Sequence, residues 1–180
     1  GGYKVYGQEN VITEDFNAGN RYISNNKYKE LSSCEISPGD LLITMMGTTG
    51  RCCVVPGSIE NGIMDSHLIR LRPDKEKIDP KFMAFAIDKG NYIKQQILSL
   101  GKGSIMNGLN STLVKDIQIR IPEMQNQNRI IKFVQHIIKQ LEKLEELRQK
   151  EMTLLQEYKV ALINEFLTGQ RQAPTSPGSI

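Results

Sequence analysis

The sequence predicts an α+β protein: a mixed, strand-rich domain followed by a long α-helix that pairs with a partner helix as an antiparallel coiled coil. Three observations predict it. Up to Pro122 the apolar residues come in short runs broken by Gly, Pro, Asn and Asp, the punctuation of strands and turns. From about Gln125 to Thr168 there is neither Gly nor Pro. Across that same stretch apolar residues recur at the 4-3 spacing of a helical seam. The expected divisions are a domain over 1–124, a helix over 125–168 and a disordered tail over 169–180, which has two prolines and no periodicity.

In the first part, Lys4-Val5-Tyr6 reads as a short strand stopped by Gly7, and Arg21-Tyr22-Ile23 lies between Asn-rich polar loops. Pro38-Gly39-Asp40 is a turn signal, and Leu41 to Met46 behind it reads as a buried strand. A loop over 47–50 leads to a second buried run, Cys52 to Val55, closed by Pro56-Gly57. His67 to Arg72 alternates like a strand with one wet face and ends at Pro73. Asp79-Pro80 opens a helical pattern that continues to Leu100 through Phe82, Phe85, Ala86, Tyr92, Ile93 and Ile97. After the polar loop 101–108, Ile117, Ile119 and Ile121 alternate as a last strand.

The second part, if continuous, is on the order of 65 Å long at ~1.5 Å per residue, more than the domain before it can cover. Its seam runs Ile130, Val134, Ile137, Leu141, Leu144, Arg148, Glu151, Leu155, Tyr158 and Leu162. The polar pair sits mid-seam. Two such helices in antiparallel register bring Arg148 against Glu151 of the partner, whereas a parallel pair sets Arg148 beside Arg148. The alternative is a break between two shorter helices, with both charges solvated.

Charge and cysteine narrow the classes. Lys and Arg total 23 against 20 Asp and Glu, a net +3, which excludes a polybasic arm and an acidic tail. Hydrophobic residues at 39% and charged residues at 24% are a globular composition. No apolar run approaches the ~20 residues of a membrane span, and no signal-peptide pattern opens the chain. The Gly1-Gly2 start without Met suggests a piece of a longer protein or a processed chain. Three cysteines, two of them adjacent, are no disulfide framework and have no zinc spacing. Buried reduced thiols in a cytoplasmic protein are expected; a reactive thiol is the alternative.

Catalytic signals are weak. Asp65-Ser66-His67 holds the three triad residue types, but adjacent residues cannot converge on one substrate atom. The stretches Gly47 to Arg51 and Gly101 to Ser104 lack the Walker spacing. With only His67 and His136, a His-based metal site is not expected, nor is any cofactor. Binding fits better. Arg21, Tyr22, Thr48, Thr49, Arg51, Lys102, Ser104, Asn107 and Asn110 are candidate DNA contacts, because such side chains bond phosphates and base edges. Ordinary solvated loops share this composition, so the residues alone leave both readings open. Residues 1–124 hold 15 basic and 14 acidic side chains, so any DNA affinity must come from local arrangement.

Read in order, several segments resemble one half of the specificity subunit of a type I DNA restriction–modification system. They are Tyr6-Gly7-Gln8-Glu9-Asn10, Arg21-Tyr22-Ile23-Ser24, Pro38 to Leu42, Met46 to Arg51, the loop Gly101 to Asn110, and Ile119-Arg120-Ile121-Pro122 followed by Gln127. The helix end Ala161 to Gly169 also fits, so the likeness covers nearly the whole chain to about Gln170. Each motif is weak by itself; their order and the final helix make the set specific.

The resemblance implies a non-catalytic protein. It implies a target-recognition domain over 1–124 that reads one part of a split double-stranded DNA site, and a spacer helix over 125–168 that acts as a ruler. Expected partners are a second copy or the other half of the subunit, the methyltransferase (modification) subunits and the restriction subunit, with no membrane. The chain departs in size, having one copy of an arrangement that such subunits carry twice. It is either a fragment resembling the C-terminal copy or a half-sized subunit that dimerises. A different reading is a coiled-coil adaptor whose globular domain binds protein instead of DNA.

Overall fold

The computed structural model describes residues 2–46, 48–100 and 109–172. Backbone contacts divide the chain into a unit spanning 1–132 and a second spanning 133–180. The first unit therefore takes in the opening turns of the long helix.

The elements of the first unit are β1 (Tyr3–Tyr6), α1 (Gln8–Thr13), β2 (Tyr22–Ile23), α2 (Asn25–Glu30), β3 (Leu41–Thr44), β4 (Cys52–Val54), β5 (Gly62–Met64) and β6 (Leu68–Leu71). They are followed by α3 (Pro80–Lys89), α4 (Asn91–Leu100) and α5 (Ser111–Lys115), and α6 (Met124–Leu167) begins in this unit. The strands form two three-stranded sheets. In the first, of order β2-β1-β5, β1 runs antiparallel to β2 and parallel to β5. The second, of order β4-β3-β6, is antiparallel throughout.

Strand β3 is buried at all four positions. The alternation of a strand sends Leu42 to one side, into a core with Tyr6, Val11, Phe16, Ile36 and Leu68. Leu41 and Ile43 go to the other side, into a core with Ile69, Ala84, Ile87 and Leu109. A strand covered on both faces needs no polar alternation, which is why this segment reads as an unbroken apolar run.

Helix α3 starts where Asp79 accepts bonds from the N–H groups of Lys81 and Phe82 at 2.7 and 3.4 Å, with Pro80 in the first turn. The single helix expected over 80–100 is instead two. Gly90 is extended at φ −67°, ψ 109°, and its N–H closes the last turn of α3 on Ala86 O at 2.9 Å. The strand expected at Ile117–Ile121 does not form. The backbone of Gln118 is satisfied by a side chain: its N–H donates to Gln96 Oε1 at 2.9 Å, and its carbonyl accepts from Gln96 Nε2 at 3.0 Å. Helix α2 fills a stretch expected to be a polar loop, and α1, α5 and β5 were not expected.

Helix α6 is continuous, so the alternative of two shorter helices is not what forms. Its first turns pack within the first unit, where Ile131 joins Ile78 and Phe82 and the side chain of Gln127 is fully buried.

Taken by itself, the second unit is an exposed amphipathic helix. Ile137, Leu141, Leu144, Leu155 and Tyr158 of the seam are 41–60% exposed, and Arg148 and Glu151 are exposed between them. Phe133, Leu147 and Leu154, also exposed, repeat at multiples of a heptad on a neighbouring column. The apolar stripe is thus wider than the two-column seam of a simple helix pair. The tail beyond 172 lies outside the described residues.

Candidate nucleic-acid interface

Backbone hydrogen bonds extend each sheet past its strand ends, and the short Asp65–His67 connection between β5 and β6 brings the two extended ends to one edge. Val5 N–H donates to Arg21 O at 2.8 Å, and Asp65 N–H to Tyr6 O at 2.9 Å. Met45 N–H donates to His67 O at 2.9 Å, and Thr44 N–H to Arg51 O at 3.0 Å. The end of β1, the approach to β2, the β5–β6 connection and the β3–β4 hairpin loop therefore share this edge. A fifth contributor is the segment before α5, because Leu109 N–H donates to Met45 O at 2.9 Å.

Two charged clusters sit there. In the first, the Arg21 guanidinium is clasped by two carboxylates, with Nη2 2.8 Å from Glu9 Oε1 and Nη1 and Nη2 each 3.0 Å from Asp65 Oδ2. Gly7 makes room for it. A Cβ at that position would collide with Arg21 Nη2 and Glu9 Oε2 and lie 2.9 Å from Asp65 Oδ2. Burial works against the charge on Arg21, and the bonds to Asp65 and Glu9 outweigh it, holding its pKa above the usual value.

In the second cluster, Arg51 Nε donates to Asp88 Oδ1 at 2.7 Å, and Lys89 Nζ lies 2.8 Å from Asp88 Oδ2. Burial raises the pKa of Asp88. The hydrogen bonds from Lys89, Arg51 and the Cys52 N–H more than offset that, and the carboxyl stays below the ordinary range.

The remaining expected contacts fall in different places. Thr48 and Thr49 lie in the hairpin loop with Arg51. The carbonyl of Thr48 accepts from the Thr44 hydroxyl, and Thr49 Oγ1 donates to Met45 O at 3.5 Å. Asn110 is exposed but its Oδ1 caps α5, accepting from Leu113 N–H at 2.9 Å. Tyr22 is separated from its neighbour Arg21, since its hydroxyl lies 3.2 Å from both carboxylate oxygens of Glu60, ahead of β5. Lys102, Ser104 and Asn107 lie outside the described residues.

Sequence reasoning missed six residues of this edge: Glu9 and Asp65, which clasp Arg21, together with Met46 (47% exposed), His67 (52% exposed side chain), Asp88 and Lys89. Asp65-Ser66-His67 was a signal read only as a failed triad; it is the polar connection between the sheets. Among the described residues no group of three or more His, Cys, Asp or Glu is arranged to hold a metal. The Cys52 and Cys53 thiols are buried; burial pushes Cys53 up to about 12 and Cys52 well above its usual value, so neither is a nucleophile near neutrality. No helix of the described residues is long and apolar enough to cross a membrane.

A family described as "Type I restriction modification DNA specificity domain" matches residues 1–152. The chain belongs to this family. Among curated relatives, the DNA specificity domain is 26% identical over 136 residues to a putative type I restriction enzyme MjaX specificity subunit of Methanocaldococcus jannaschii. That match takes in 76% of this chain and 30% of the relative.

Two solved structures share the fold. One is the HsdS subunit from Thermoanaerobacter tengcongensis, with a TM-score of 0.58 at 21% identity, over 80% of this chain and 37% of that one. The other comes from work on complex assembly and conformational transition of the type I R-M system, with a TM-score of 0.60, 21% identity and the same coverage of 80% and 37%. The DNA specificity domain thus spans about a third of the length of these relatives. Family membership supports a role in DNA recognition, and the α+β architecture with a long terminal helix is that of its structural neighbours.

Proposed function

We propose that this chain is the DNA-reading half of a type I specificity subunit. The unit over 1–132 reads one part of a split target, and α6 pairs antiparallel with a second copy or with the other half of the subunit. The assembly recruits methyltransferase and restriction subunits. The chain itself is non-catalytic and works in the cytoplasm. The observation that carries this reading is the convergence of the β3–β4 loop, the β5–β6 connection and the segment before α5 on one exposed polar edge of a DNA specificity domain. The width of the apolar stripe on α6 supports recruitment, because a single partner helix covers two columns and leaves one for other subunits.

One recognition domain makes few base contacts, each good bidentate pair contributing about 1–3 kcal/mol of discrimination. Pairing two domains through α6 raises avidity without new contacts, and a two-fold pair reads a palindromic split site. The test is binding of the full chain to mixed-sequence duplex DNA across a salt series. Binding that weakens linearly in log–log form as salt rises is the expected result. No binding at low salt, together with capture of a protein partner, would favour the adaptor reading instead.

A further inference from the structure

Arg51 stands at the foot of the β3–β4 hairpin with its backbone held by Thr44. Thr44 N–H donates to Arg51 O at 3.0 Å, and Arg51 N–H donates to Thr44 Oγ1 at 3.1 Å. Its side chain is 29% exposed, and its Nε is fixed at 2.7 Å from Asp88 Oδ1. Asp88 is only 5% exposed and is the next-to-last residue of α3. A carboxylate is disfavoured there twice, by lost hydration and by the negative end of the helix dipole. Its oxygens are filled nonetheless: Oδ1 by Arg51 Nε and by the Cys52 N–H at 3.2 Å, and Oδ2 by Lys89 Nζ at 2.8 Å.

Capping the Cys52 N–H of an edge strand needs only a neutral acceptor, so the strand does not account for a buried charge. Holding a guanidinium does. Among the described residues Nη1 and Nη2 of Arg51 have no acceptor. An arginine tethered at Nε keeps its end-on pair of donors in a fixed direction, and such a pair matches O6 and N7 of guanine. Phosphate grip would call for the opposite arrangement, since a buried carboxylate weakens the pull of Arg51 on an anion while preserving its hydrogen-bond geometry.

We infer that Asp88 is a positioning residue for base readout: from α3 it fixes the Arg51 guanidinium so that the terminal nitrogens meet the major-groove edge of a guanine. The inference rests on the DNA-reading function proposed above and names one of its determinants.

The test selects a randomised duplex library on the full chain, then measures discrimination and salt dependence for the wild type, R51A, R51K, D88N and the double variant D88N/R51A. D88N leaves an acceptor for the Cys52 N–H, so it keeps the fold where D88A risks losing it. The wild type is expected to select a guanine that R51A and R51K stop distinguishing, by roughly 5- to 150-fold, and that D88N, left with only an uncharged acceptor for Arg51 Nε, distinguishes measurably less well than the wild type. D88N should bind mixed-sequence duplex as well as the wild type or better, with equal or steeper salt dependence, because it adds net positive charge. The double variant should discriminate no worse than R51A.

Unchanged discrimination in a folded D88N would overturn the inference. So would an R51A chain that keeps its selectivity but loses about one unit of salt slope, the mark of a phosphate contact. A wild-type chain that binds neither mixed-sequence duplex nor any library member overturns the DNA-reading function itself, a failure separable from the other two.

Discussion

The fully buried side chain of Gln127 accepts a hydrogen bond from the backbone N–H of Asp79 at 2.8 Å. Its amide nitrogen donates to the carbonyls of Lys77 at 3.1 Å and Pro122 at 2.8 Å. One side chain thereby joins the start of α6 to the turn that caps α3 and to the chain just before α6 itself. Gln127→Ala orphans one donor and two acceptors. It should destabilise the first unit by about 2–4 kcal/mol. A urea midpoint that falls with an unchanged slope is the expected record; an unshifted midpoint would show that the three groups find other partners.

Two glycines should respond to alanine to different degrees. At Gly62, a Cβ collides with the Lys4 carbonyl oxygen and lies 2.9 Å from its carbon, so the β1–β5 pairing must open. At Gly7 the colliding atoms are the tips of Arg21 and Glu9, which can swing away. Gly62→Ala should cost roughly 2 kcal/mol or more, and Gly7→Ala under about 1 kcal/mol while releasing the Arg21 clasp. Equal thermal shifts for the two variants would contradict this.

Tyr6 sets an alkaline limb of stability. Its hydroxyl donates to Glu60 O at 2.8 Å; burial first, and then the Glu60 charge, push its pKa up to about 12. A folded pKa above the unfolded value of ~10 means the contribution is complete below ~10 and is lost as pH rises towards 12. Tyr6→Phe should lower stability at neutral pH and flatten that limb. An alkaline limb identical in Tyr6→Phe would place the titration elsewhere.

Antiparallel pairing of α6 makes a charge-exchange prediction. Arg148→Glu places like charges against Glu151 of the second copy and should weaken a dimer at tens of micromolar. Combining it with Glu151→Arg should restore the dimer. Light scattering on a size-exclusion column reads both. A wild-type chain that is strictly monomeric sinks the pairing, and a single exchange with no effect points to parallel helices.

The legible parts of the fold were those governed by local pattern. β3, β4 and β6 are marked by apolar runs between turn residues, α3 by Asp79-Pro80, and α6 by a stretch free of Gly and Pro carrying a heptad stripe. Ile117–Ile121 alternates like a strand, yet the amide of Gln96 satisfies its backbone, a partner distant in sequence that no local pattern reports. Lys4 is 2% exposed although it is a lysine, because Asn17 O accepts from Nζ at 2.9 Å and the Glu60 carboxylate lies 3.5 Å away. Loop chemistry suggested the candidate DNA contacts, but sequence could not separate Arg21 from Tyr22. Arg21, just before β2, and Tyr22, its first residue, turn their side chains towards different carboxylates.

By itself the sequence determined the class of the protein: a strand-rich domain, a long helix needing a partner, and the motifs in family order. Helical and strand periodicity and turn chemistry are properties of neighbouring residues, so they survive in one dimension. Only the tertiary structure decided which polar groups share an edge, that Asp88 reaches Arg51 and that Gln127 closes the base of α6. Those pairings join residues 37 and 48 apart in sequence, and buried hydrogen bonds between such partners exist only once packing has brought the segments together.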